Sequence, residues 1–162
     1  MTREEKLESV LNAFTRYYTI RKDGVTPPFA AEADFISHNE QYILVKSAKI
    51  SEMDSNEYVF FASEGDLTLE KLTELDKTAW ETGLSRVVPK SGHRNSDVTL
   101  IIIADKIEED AFKQIKKLKH SKSYLFTIHG WSNYKLIAID LSNGKTAYNR
   151  HGRDLKKIIN NK

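Results

Sequence analysis

The sequence predicts an α+β domain: a mixed sheet of six to seven strands, opened by an antiparallel meander, with helices packed on it. Three observations carry this. Apolar residues recur at helical spacing in four separate stretches; runs rich in Ile, Val, Tyr and Phe, bounded by turn residues, lie between them; and one such run, "VTLIIIA" at 98–104, is apolar throughout. An unbroken run of that kind marks a strand covered on both faces, so it is placed at the centre of the sheet. With 162 residues the chain fits one domain covering 1–162, able to bury roughly 70% of its unfolded surface.

The first helix is signalled by Thr2 and Glu5, the spacing of a capping box, followed by Leu7, Val10, Leu11, Phe14 and Tyr18. "RKDGVTPPF" then breaks the chain with a glycine and two prolines. "AEADFISH", "QYILVKSAKI" and "EYVFFAS" read as three antiparallel strands in sequence. A second helix is expected over 67–82, with Leu72, Leu75 and Ala79 inward and Gly83 as its stop. "SRVVPKSGHRNSD" is a polar, basic loop ahead of the central strand. A third helix is expected to open at Asp105, capped by its carboxylate, with Ile107, Ala111, Ile115 and Leu118 on one side and Lys116, Lys117 and Lys119 at its negative end. The last third predicts strands at "SYLFTIHG" and "YKLIAIDL", the turn "SNGK", a short strand "TAYN" and a closing helix "RDLKKIIN".

Composition narrows the chemistry. No cysteine is present, so disulfides, thiolate metal sites and cysteine nucleophiles are excluded. No stretch approaches the roughly 18 apolar residues of a membrane span, and the start of the chain lacks the apolar core of an export signal. The expectation is a soluble cytoplasmic protein. The net charge of +2 hides a division: residues 1–81 hold 9 Lys/Arg against 16 Asp/Glu, and residues 82–162 hold 16 against 7. Such a split suits two faces that attract within one globule or across a homodimer, or a second half that meets nucleic acid, with Trp131, Tyr134 and Tyr148 available for stacking.

If each helix is a crossover between parallel strands, strand directions gather polar residues at one rim. His38, Asn39, Glu40, Glu64, His129, Trp131, Arg150 and His151 are the candidate ligand-binding residues, with Asp66 and Asp105 beside them. Each has a bland alternative: a polar turn at 38–40, helix caps at Asp66 and Asp105, a satisfied core histidine at His129. Arg150, His151 and Arg153 open the last helix, where cations oppose the dipole, which hints at an anionic partner. No metallopeptidase, nucleophile-elbow, phosphate-loop or dinucleotide motif is present, so no cofactor, metal or catalytic residue is assigned and catalysis is not expected. A metal-dependent hydrolase using the rim's His and carboxylate groups stands as a further alternative.

The stretches "HNEQYILVK", "SNEYVFF", "HGWSNYKLIAIDLS" and "NRHGRDLKK" resemble those of a family of small uncharacterised bacterial proteins built on a domain of unknown function, over residues 30–158. That resemblance implies a fold unit and carries no reaction, ligand or site residue. The order helix, three strands, helix, strand also resembles the restriction-endonuclease-like core over the first 105 residues. Such nucleases pair an acidic residue and a lysine two positions apart on one strand. Here Lys46 follows Leu44, and "EYVFFAS" has no lysine, so the resemblance implies at most a degenerate relative.

Overall fold

The computed structural model describes residues 1–36, 54–88, 93–124 and 130–160. They form the α+β domain the sequence predicts, with seven strands in one mixed sheet and four helices. The elements are α1 (Arg3–Phe14), β1 (Thr19–Arg21), β2 (Ala31–Ile36), β3 (Asp54–Leu67), α2 (Leu69–Ser85), β4 (His93–Ile107), α3 (Glu109–Ile115), β5 (Ser121–Ser123), β6 (Trp131–Asp140) and β7 (Thr146–Tyr148). A 3₁₀ segment (Arg150–Leu155) then runs into α4 (Lys156–Asn160). The strand order is β1-β2-β3-β4-β6-β5, with β7 also on β6.

β4 is central, as its apolar run requires. It pairs in parallel with β3 on one side and β6 on the other, and α2 and α3 make the two crossovers. Alternation along β4 divides the core: Val98, Leu100, Ile102 and Ala104 pack under α2 and α3, whereas Ile101 and Ile103 pack under α1 and the C-terminal segment. Thr2 caps α1 as expected, its Oγ1 accepting from Glu5 N at 3.1 Å. Lys6 ties α1 to α4 by donating from Nζ to the Ile159 carbonyl.

Several expectations are corrected. β2 and β3 pair directly and antiparallel, from Ala31↔Phe61 to Ile36↔Asn56, so they do not run in the same direction. The strand expected at 41–50 lies outside the described residues. β3 continues to Leu67 and keeps β4 paired as far as Ile107, so Asp66 and Asp105 are strand residues and cap nothing. Thr68 caps α2 instead, its Oγ1 accepting from Lys71 N at 3.0 Å. Asp105 pairs with Arg3 at 3.2 Å. Gly83 lies inside α2 because a Cβ there would meet Val98 Cγ2 at 2.5 Å; it is a close-packing glycine, not a stop. Of "SYLFTIHG", only Ser123 falls in a described strand, and the strand parallel to β4 is β6.

A cationic groove at the sheet edge

The sheet rows locate the described members of the predicted rim. Glu64, Ala104 and Asp140 are level at one end, where the parallel strands finish. Trp131 lies at the other end, beside Asn95, because it starts its strand and does not finish one. Ile36, Asn56, Ser96 and Ser132 form one row, so β2 runs toward the end where Trp131 stands. Glu64 and Trp131 are therefore kept apart by the length of the sheet. His38, Asn39, Glu40 and His129 lie outside the described residues. Glu64 is a half-buried carboxylate 3.8 Å from Lys71; burial raises its pKa, and Lys71 offsets part of the rise. His151 is exposed on the 3₁₀ segment.

Three polar clusters were not singled out from the sequence. On the face under α1, Glu57 accepts from Tyr18 Oη and, at 2.6 Å, from Thr99 Oγ1, while Lys135 Nζ lies 3.1 Å from Asp97 and 3.7 Å from Glu57. Burial raises the Asp97 pKa against the pull of Lys135, and it also lifts Tyr18, with Glu57 adding to the effect. On β2, buried Glu32 meets Arg21 at 3.1 Å and Arg86 at 2.5 Å and accepts from Thr26 N. Under α2, His120 Nε2 reaches both oxygens of buried Asp76, at 2.9 and 3.1 Å, and its ring stacks on Trp80 at 5.3 Å. Tyr134 is fully buried with its hydroxyl beside Asp76, and burial together with that carboxylate raises its pKa, so it is not available for stacking. Each cluster is closed by its own hydrogen bonds and ion pairs, with Lys135 shared between two carboxylates. Among the described residues no three His, Asp or Glu side chains group as metal ligands.

A different arrangement is found where the β6–β7 hairpin meets α3 and the C-terminal segment. A groove of about 750 Å³ is lined there by Lys116, Lys145, Arg150, Arg153 and Lys156, with Phe112 and Tyr148 on its walls. Among the described residues no carboxylate lines it and none of the five exposed cations is paired with one; Glu108, Glu109 and Asp140 share an adjoining depression with Lys116 and Lys145, and Asp154 shares another with Arg153 and Lys156. Arg21, Lys71 and Lys135, by contrast, each have a carboxylate partner.

Local chemistry builds the groove. Asn143 and Gly144 make the predicted turn: Asn143 Oδ1 accepts from Lys145 N at 2.9 Å, and Gly144 takes φ +74°, which suits glycine. Asp140 fixes the hairpin to the end of β4, accepting from Ile107 N at 2.9 Å and from Ser142 N at 2.8 Å. Burial opposes its charge, but these bonds and the Ser142 hydroxyl outweigh burial and hold its pKa below the usual range. Buried Asn149 uses all four of its hydrogen-bonding positions. Oδ1 accepts from Leu136 N and Gly152 N, each at 2.9 Å, and Nδ2 donates to Leu118 O at 3.1 Å and Tyr134 O at 3.0 Å. A Cβ on Gly152 would fall 2.2 Å from Leu136 O, so only glycine lets the 3₁₀ segment lie flat on β6. Flat packing buries Leu155 and turns Arg150 and Arg153 outward.

Of the predicted site residues that are described, Arg150 alone lines the groove. Lys116, Lys145, Arg153 and Lys156 were visible only as part of a basic second half. Their convergence depends on β7 lying beside α3, which no spacing encodes.

Fold and groove together define an α+β domain with one mixed sheet and a groove lined by five cations at its edge. The chain belongs to the family described as a domain of unknown function, DUF8052, whose model matches residues 2–161. The stretches that carried the family resemblance all fall within that match. No curated protein and no solved structure matches the chain. No helix among the described residues is long and apolar enough to cross a membrane.

Proposed function

We propose that this protein is a binding module that holds a phosphate-bearing anion in the cationic groove. The observation that carries the reading is the set of five lining cations without a carboxylate among them. Holding like charges together is unfavourable until an anion arrives, and bringing one in relieves that repulsion. Two of the five are arginines, whose planar guanidinium groups meet phosphate oxygens in pairs. The ligand-binding site is thus moved from the predicted rim to the edge, with Arg150 kept as a member. The cytoplasm, expected from a chain without cysteine, is a setting rich in such ligands.

Calorimetric titration with inorganic polyphosphate tests the proposal. Binding is expected at low salt, weakening as salt rises. The Arg150→Ala, Arg153→Ala double variant should lose about ten-fold or more in affinity, as charge-assisted bonds of this type predict. Absence of binding at low salt, judged by calorimetry at two temperatures, would overturn the reading.

A further inference from the structure

Resting on that reading of the groove, we infer that its ligand is a single-stranded nucleic acid, bound with bases on Phe112 and Tyr148 and phosphates on the surrounding cations. The number of charges comes first. One phosphate group carries at most about two negative charges, and two cations would balance it; five call for a chain of phosphates.

The two rings select among polyanions. Phe112 and Tyr148 are half-buried, so each keeps surface facing the groove. Each also has a lysine ammonium over it, Lys116 Nζ at 5.1 Å from the Phe112 centroid and Lys156 Nζ at 6.0 Å from that of Tyr148. Ring and cation therefore come as a unit, repeated on two walls. A base arriving on the ring takes the place of the ammonium, which turns to the adjacent phosphate. Stacking of this kind is tolerant of sequence because every base has a π-face. A duplex keeps its bases stacked inside and offers only its backbone to such walls. Inorganic polyphosphate has charge and nothing to stack. An acidic peptide is the competing occupant, since β7 pairs only with β6 among the described residues and leaves its outer edge toward the groove. The peptide would use that edge and leave the rings idle.

The experiment is fluorescence anisotropy with labelled oligothymidylate and oligouridylate, competed by a duplex of equal length, by inorganic polyphosphate and by polyglutamate. Variants Phe112→Leu and Tyr148→Leu keep apolar bulk while removing the rings, and circular dichroism confirms that each is folded. Tight binding of either single strand is expected, with log affinity falling against log salt at a slope of about −3.5 if all five cations engage, at about 0.7 each. Each ring variant should weaken the single strand about five-fold or more and leave the inhibition constant of polyphosphate unchanged. Equal affinity for single strand and polyphosphate, with no effect of the ring variants, would overturn the inference and leave the anion site standing. Polyglutamate as the best competitor would overturn it in favour of an acidic strand on β7. If no polyanion binds at all, the anion reading itself falls.

Discussion

At the scale of single residues, Asn149 does the most for the groove without lining it by charge. Its amide is the shared partner of β6, of the chain after α3 and of the 3₁₀ segment, and a carboxamide is the one small group that supplies two acceptor and two donor positions there. Asn149→Ala leaves the buried Leu136 and Gly152 amides and the Tyr134 carbonyl without that partner. The expected loss is about 3 kcal/mol or more, measured by urea denaturation. Aspartate keeps the acceptors but points an oxygen at two carbonyls, so Asn149→Asp should be no better than alanine at neutral pH. A loss below about 1 kcal/mol for both would mean that water replaces the amide and that this account of the segment is wrong. The sequence offers Asn149 as the last letter of "TAYN" and the first of "NRHGRDLKK". Nothing in the letter distinguishes a hub from a turn asparagine, because its four partners come from positions 118, 134, 136 and 152.

At the scale of elements, what was legible followed local chemistry. The α1 cap, the inward stripe of α2, the central strand and the "SNGK" hairpin depend on residues a few positions apart, and all stand where the sequence puts them. What was misread depended on pairing. The helix start given to Asp105 fails because β3 stays in register to Leu67, and the parallel placement of the first and third meander strands fails because β2 meets β3 directly. α2 shows how a distant partner can hold an element. Its buried Asp76 accepts from His120, which lies beyond α3 and stacks on Trp80 of the same helix. The two contacts can be separated. His120→Phe keeps a ring on Trp80 and abandons the carboxylate; His120→Ala abandons both. Because Asp76 is left buried without its partner, His120→Phe should still cost about 1–3 kcal/mol, and alanine about 0.5–1.5 more for the ring. The measurement is chemical denaturation of both variants at neutral pH. A phenylalanine variant as stable as wild type would show that the hydrogen bond contributes nothing net.

At the scale of the whole molecule, the acidic first half and basic second half meet only in part. Arg3 with Asp105 and Lys135 with Glu57 cross the division, while the groove cations have no carboxylate partner among the described residues. Four buried or half-buried carboxylates form two pairs whose titrations oppose each other. Burial raises Asp97 and Glu64, so the folded state takes up their protons before the unfolded chain does. Ionising them costs stability above their raised values, and that cost is relieved as pH falls. Asp140 and Glu32 are buried as well, but hydrogen bonds from Ser142 and Ile107 to the one, and Arg86 and Thr26 to the other, hold both below the ordinary range. Their contribution is complete above the unfolded values of about 3.9 and 4.3 and is lost as pH falls through the lower folded values, because the unfolded chain then binds more protons. Stability should therefore hold level or rise slightly from neutrality into the upper acid range, then fall below about pH 4. Asp97→Asn, which leaves Lys135 its contact with Glu57, should remove much of the upper feature. Asp140→Asn should lower stability at neutral pH by about 1–3 kcal/mol and flatten the fall in acid. Urea midpoints taken across the acid range for the three proteins decide it. If Asp140→Asn fell as steeply as wild type below about pH 4, the hydrogen bonds that fix the hairpin would not be what sets the acid limit of the fold.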